Sequence, residues 1–282
     1  MVARGLASRF RYSLAVSMEA LPENAPVLLR GEIDHCIREA ALMGYSAIEI
    51  HLRDAIQIDG NAIALCCKQN GIGVSALATG LEASLNHCSM TDPDPKVRSH
   101  TLRQMKDHVD LARKLGCLVV VGMVRGNLKD DRSQSWEFFR EALAELLEYA
   151  AKEQVTITLE AINQYINNYL NNVDETADFI RSFRTDNLTL HIDTHHMNIE
   201  DYSPVDSIIR NADTIGYVHV AEINRMYPGA GKMDFKAILQ ALRKIGYDGY
   251  ISLECAPIPD GNTAAQKGLD YLKSIEPKVE NA

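Results

Sequence analysis

The segment LHIDTHHMNIED (190–201) closes an apolar run with an aspartate and follows it at once with two histidines. Three other apolar runs end in the same manner. VTITLE ends in Glu160, TIGYVHV carries His219 one residue from its end, and GYISLE ends in Glu254. With Asp193 these make three carboxylates and one imidazole on four successive strand-like runs. Their separations of 33, 26 and 35 residues are each about one strand-plus-helix unit. A single polar residue at a strand end is equally well explained by contact with water. Four in succession, all of metal-ligating type, point to a shared divalent-cation site. Mostly oxygen donors with one nitrogen favour Mn²⁺, Mg²⁺ or Co²⁺ over a closed structural zinc site, which is built from Cys and His.

Such a site needs a scaffold that brings distant strand ends to one rim. The chain repeats one pattern, in which a helical segment ends near a glycine and a short run rich in β-branched residues follows. It does so at Gly44, Gly71, Gly116 and Gly246. Glycine suits the left-handed residue that closes a helix, and the apolar runs suit parallel strands buried on both faces. The pattern predicts eight strands, at 11–16, 46–51, 72–78, 117–122, 155–160, 188–193, 215–220 and 249–254. Helices are predicted between and after them, near 33–43, 59–70, 95–115, 135–153, 173–183, 203–211, 234–245 and 262–274. Eight such units of about 35 residues predict an α/β fold, a single (β/α)₈ TIM barrel over 1–282 with 1–10 as a loose lead-in. The rival is an open doubly wound sheet. The first strand is followed by MEALPENAP rather than by a glycine-rich phosphate fingerprint. In a barrel, active sites lie at the C-terminal ends of the strands, where Glu160, Asp193, His219 and Glu254 are predicted to sit.

Composition narrows the partners. Of 282 residues 46% are hydrophobic and 24% charged, which is ordinary for a globular chain with a large core. The net charge of −9 repels phosphate backbones and argues against nucleic acid. The six cysteines form no CxxC pair and lie in apolar segments, as expected of reduced thiols in a cytoplasmic protein. MVARGLASRF lacks the apolar run of a signal sequence. No stretch approaches the roughly 20 apolar residues that span a bilayer, so no membrane partner is expected.

LEAINQYINNYLNN (159–172), HIDTHHMNIED (191–201), VHVAEINRMYPGAGKMDF (218–235) and YDGYISLEC (247–255) resemble the xylose-isomerase-like barrel superfamily. SLNHCSMTDPDPKVR (84–98) is a weaker match. Within the superfamily the chain is most similar to the ketose 3-epimerases and related sugar or keto-acid isomerases. The resemblance implies that Glu160, Asp193, His219 and Glu254 hold one divalent cation, with Mn²⁺ favoured and Mg²⁺, Co²⁺ or Zn²⁺ as alternatives. It implies that Glu160 and Glu254 are the acid/base pair and that His196 and Arg225 contact substrate oxygens. His195 stands where relatives often carry an aromatic residue. One departure is Ile166, six residues after Glu160, where ketose 3-epimerases usually carry a glutamate that helps hold a sugar hydroxyl. That places simple free ketoses in doubt, and YINNYLNN resembles relatives that handle sugar acids or other modified keto-sugars. A dimer or tetramer is also implied.

The chemistry that follows is proton abstraction beside a ketone of a ketose, keto-sugar acid or sugar phosphate. A chelated divalent cation stabilises the enediolate, and a carboxylate takes the proton. Epimerisation needs a second acid on the opposite face, and two glutamates three strands apart favour it over isomerisation. Several residues keep two readings. His87 after the third strand is a candidate substrate contact. Arg125 is a substrate-anion contact or a surface or capping residue. Lys232 is an anion contact or a solvated loop lysine. Glu49 is expected to support the site, His191 is a core histidine or a further site residue, and Glu222 and Asn224 are expected to order the loop around Arg225. The rivals are a non-catalytic sugar-binding barrel and a zinc endonuclease of the same fold. The endonuclease would need an Asp-x-His pair where GAGKMDF stands.

Overall fold

The computed structural model describes residues 10–276. The lead-in expected over 1–10 lies, up to residue 9, outside them. Eight parallel strands close on themselves: β1 (Arg11–Ser17), β2 (Ala47–His51), β3 (Gly73–Ala78), β4 (Leu118–Val121), β5 (Ile157–Glu160), β6 (Leu188–Asp193), β7 (Ile215–Val220) and β8 (Tyr250–Leu253). Each pairs with its successor, and β8 returns to β1 through the Arg11–Tyr250 to Leu14–Leu253 register, which completes the barrel. All eight predicted strands are present, and the α/β barrel expected from the sequence is the fold.

Among the described residues the helices are α1 (Ile33–Met43), α2 (Gly60–Asn70), α3 (Gly80–Asn86), α4 (Pro95–Leu115), α5 (Arg132–Lys152), α6 (Val173–Arg181), α7 (Thr194–Glu200), α8 (Pro204–Arg210), α9 (Phe235–Lys244) and α10 (Gly261–Ile275). Gly44, Gly71 and Gly116 close α1, α2 and α4 in the left-handed conformation, as the pattern required. The short α3 and α7 were not expected. Each follows a strand directly and is one to two turns long, too short for a helical period to show. The two-residue segment Leu29–Arg30 adds a short parallel ladder to β1. No described helix is long and apolar enough to cross a membrane. All six cysteines are free, five of them buried.

Side chains alternate along a strand, so one set of each strand faces the barrel interior. Here that set is unusually polar toward the C-terminal end. Glu49, His191, Asp193, Tyr217, His219 and Ser252 are all buried. Register pairs Glu160 with His191, Asp193 with His219, and His219 with Ser252. The residues that alternate with them pack against the helices in a continuous apolar layer.

An aromatic group under the loop after β5 supports the rim. Phe139 on α5 lies 5.5 Å from both Tyr169 and Phe179, and Trp136 lies 5.6 Å from Tyr169. Phe139 is wholly buried. Phe139→Ala should cost about 3–5 kcal/mol, because the surrounding rings cannot collapse into the space. Urea unfolding would measure it, and a loss below about 1 kcal/mol would show that the cluster is not a support.

Candidate active site

The sequence-predicted ligands converge at the C-terminal rim. Asp193 is the last residue of β6 and also the N-cap of α7, its Oδ1 accepting the His195 N–H at 2.8 Å. This explains the crowding in LHIDTHH. The helix begins on the aspartate, and one turn later His196 returns to the same side. Its Nε2 lies 3.7 Å from Asp193 Oδ2 and 3.6 Å from Glu160 Oε1. Thr194 fastens this corner to β7: its hydroxyl donates to Ala221 O at 2.8 Å and accepts from Ala221 N at 3.0 Å. Glu254 lies one residue beyond β8, and its Oε2 is 3.4 Å from His219 Nδ1.

Three overlapping groups of ligand atoms lie within 4.8 Å of one another: Glu160–Asp193–His196, Asp193–His219–Glu254 and Glu160–His191–His219. The donor set suits a divalent cation, and one atom shows it best. His219 Nε2 faces Glu49 Oε2 at 2.8 Å, so this nitrogen carries the proton. Nδ1 is left buried with no hydrogen-bond partner and aimed at the carboxylates. A carboxylate behind an imidazole fixes tautomer and ring angle in this way at metal sites. Glu49 is itself held by Tyr217, whose hydroxyl donates to the same Oε2 at 2.8 Å and lies 2.8 Å from Ser75 Oγ. His51 Nε2 stands 3.2 Å from the other oxygen of Glu49. Burial alone would push the Glu49 carboxyl up, but the His219 and His51 imidazoles reverse this and hold it well below its ordinary range.

The two glutamates differ in environment. Burial pushes Glu160 up to about 7, with Asp193 adding to the shift and His219 opposing it. Glu254 is paired with Arg225, whose guanidinium bridges it to Asp193. Burial would also push Asp193 up, but the Arg225 charge and the neighbouring imidazoles hold it well below the ordinary range. Arg225 thus sits among carboxylates, where one wholly buried and one partly buried anion require a counter-charge. Its backbone takes the left-handed conformation, φ 63°, fixed by Arg225 N–H to Glu222 O at 2.9 Å and Ala256 N–H to Arg225 O at 2.7 Å. Glu222 orders the following loop by accepting from Gly229 N and Met233 N, both at 3.1 Å.

A cavity of about 360 Å³ opens on this cluster, with His51, Glu160, His196, His219, Arg225 and Glu254 in its wall. His195 also lines it. His87 is not among the lining residues; it is exposed and caps α3 in a left-handed conformation. Lys232 is exposed and outside the wall. Arg125 takes neither expected role. It is wholly buried and donates to Glu160 O, to Tyr169 O at 3.1 Å and to Leu170 O at 3.3 Å. The carbonyls at this loop junction need donors, and the guanidinium supplies several in one plane.

Three contributors lacked a plain signal. His51 lies two residues after Glu49, and that inward spacing on a strand was its only clue. Asn163 donates to His196 Nδ1 at 2.7 Å, because its own oxygen is taken by Tyr165 N at 3.0 Å. Gly122 leaves room for Glu160, since a Cβ there would stand 2.6 Å from Glu160 Oε2.

Two measurements follow. Glu49→Gln should weaken divalent-cation binding about 10–100-fold through loss of the His219 restraint, as calorimetric titration of the chelator-treated protein would show. Unchanged affinity would remove Glu49 from the site. The second concerns pH. The folded-state affinity of Glu160 for a proton exceeds its ordinary value of 4.5, so its contribution to stability is full below pH 4.5 and is lost as pH rises through about 7. In chelator-treated protein Glu160→Gln should therefore be more stable than the parent at pH 8, by roughly 1–3 kcal/mol, with the gap closing toward pH 4.5. A variant less stable at pH 8 would contradict this.

Comparison with known proteins agrees with the geometry. L-ribulose 3-epimerase of Mesorhizobium japonicum is 31% identical over 229 residues, covering 80% of this chain and 76% of that one. The structure of an L-ribulose 3-epimerase superposes with a TM-score of 0.79 at 26% identity, over 93% of this chain and 95% of that one. The apo 3-keto-D-glucoside 4-epimerase of E. coli shares the fold, with a TM-score of 0.79 at 21% identity over 94% and 99% of the two chains. The family model described as xylose isomerase-like TIM barrel matches residues 37–275. The chain belongs to the xylose isomerase-like TIM-barrel family.

Proposed function

We propose that the protein is a divalent-cation-dependent sugar epimerase, an isomerase that removes and returns a proton on a carbon beside a ketone. The observation that carries this reading is the pair of glutamates on different sides of one cation-ready centre. Glu160 approaches from β5 and Glu254 from β8, while Asp193 and the unpartnered Nδ1 of His219 lie between them. Glu160, Asp193, His219 and Glu254 would hold the cation, with Mn²⁺ favoured by the oxygen-rich donor set. When bound, it supplies Lewis-acid stabilisation of the negative charge that develops on the substrate carbonyl.

The residues divide the remaining work. One glutamate takes the proton from one face of the reacting carbon, and the other returns a proton to the opposite face. Unequal surroundings suit this division: burial keeps the proton affinity of Glu160 high, while Glu254 is paired with a cation. His196, oriented by Asn163, presents Nε2 to the same centre and is placed to contact a substrate oxygen. Arg225 has donors for substrate oxygens once its carboxylate partners are otherwise engaged.

Solvent exchange tests the assignment. With Mn²⁺ restored and a panel of keto-sugars in D₂O, NMR should show deuterium entering one carbon beside the ketone. Glu160→Gln and Glu254→Gln should each slow that exchange about 10²–10⁴-fold. Exchange that survives both substitutions would refute the roles given to the glutamates.

A further inference from the structure

His191 stands two residues before Asp193 on β6 and is wholly buried in the barrel interior. Among the described residues it is the buried imidazole with both nitrogens unpartnered. Two rings hold it in place. Tyr217 lies 5.2 Å away and His219 4.1 Å away between centroids, at interplanar angles of 64° and 83°. These edge contacts fix the ring plane, but they give the N–H no oxygen or nitrogen acceptor and the lone pair no donor. A buried polar group left in that state costs stability that an apolar side chain of similar size would not. Such a group is retained where an ion, a water or a reaction uses it. The surroundings of His191 favour the ion. Register pairs it with Glu160, and ligand atoms of Glu160, His191 and His219 all lie within 4.8 Å of one another. His219 can join this group through Nδ1, since Glu49 holds Nε2. Donor atoms on one cation stand up to about 4.2 Å apart at bond lengths near 2.1 Å, so shifts of roughly half an ångström would close the set.

We propose that His191 is a fifth protein donor to the cation, and that this second imidazole strengthens the site for Co²⁺ and Zn²⁺ more than for Mn²⁺ or Mg²⁺. The inference rests on reading the rim as a cation centre, and it adds a residue outside the four that the family resemblance assigns. Its chemistry follows from the donor atoms. Imidazole nitrogen suits Zn²⁺ and Co²⁺, whereas carboxylate and water oxygens suit Mg²⁺ and Mn²⁺. Mg²⁺ holds its waters and demands near-octahedral geometry, so a buried nitrogen below the rim gains it little. Zn²⁺ accepts four or five ligands in varied arrangements and can take the nitrogen up. Glu160 and His219 belong to both the upper, oxygen-rich group and this lower one. The same two residues would therefore anchor any of these ions, and His191 would discriminate among them.

X-ray absorption at the cobalt and zinc edges tests this without recourse to activity. In the parent protein loaded with one equivalent of Co²⁺ or Zn²⁺, the scattering should show two imidazoles on the ion. The four rim residues alone would supply one. His191→Leu should remove one imidazole from the count. Calorimetric titration should then find Co²⁺ and Zn²⁺ bound about tenfold or more weakly, with Mn²⁺ changed by less than about threefold. His191→Asn, which keeps a polar group in the cavity, should give the same split and so separates ligation from packing. If either variant fails to fold, the imidazole count in the parent still decides. One imidazole in the parent, or equal losses for all three ions in the variants, overturns the inference. Binding that survives at His191 but is lost in Asp193→Asn overturns the role of His191 and leaves the cation centre standing. A parent that binds none of these ions refutes the cation centre itself, and His191 with it.

Discussion

Three carboxylates placed on one barrel rim, two of them nearly or wholly shielded from water, create a charge problem that the surrounding structure is built to meet. Asp193, Glu160 and Glu254 cannot all remain ionised in a low-dielectric cleft without compensation. In this chain the compensation takes three forms. Arg225 bridges Asp193 and Glu254. Glu160 has a raised proton affinity. The imidazoles of His196 and His219 face the cluster. A divalent cation would replace all three at once, which is why the arrangement reads as a cation site rather than a structural salt-bridge network.

The barrel interior transmits this constraint downward. A buried carboxylate behind His219 fixes which nitrogen faces the cluster, and a buried phenol fixes the carboxylate. Ser13, Ser75 and Tyr217 continue the hydrogen-bonded chain toward the other end of the barrel, with Ser13 Oγ 2.6 Å from Ser75 Oγ. Such an interior forgoes some apolar packing, and the apolar layer between strands and helices supplies stability in its place. The loop after β5 is fixed from its underside by Arg125 and the aromatic cluster.

Much of this was legible in the sequence because barrel strands are short, apolar and regularly spaced. The last polar residue of each late strand stands out against such a background, and Glu160, Asp193, His219 and Glu254 were found that way. The limit was direction. Periodicity can assign Glu49 and His51 to one strand face, but it cannot say that this face meets His219 from across the barrel. Arg125 shows the same limit in reverse: a charged residue after a strand reads as accessible, yet it is enclosed by three carbonyls, one at the end of β5 and two in the loop that follows it. His87 follows a strand in the sequence, but α3 intervenes and carries it away from the cavity. That short helix lacks the length for its period to be visible.

On the reading proposed above, the β5–β8 rim holds a divalent cation through Glu160, Asp193, His219 and Glu254. Anomalous diffraction at the manganese edge, from crystals of the Mn²⁺-loaded protein, tests it most directly. One strong peak is expected among those four side chains, beside His219 Nδ1, with an Arg225 guanidinium that no longer bridges Asp193 and Glu254. No peak there, with Arg225 still bridging the carboxylates in fully loaded protein, would contradict it.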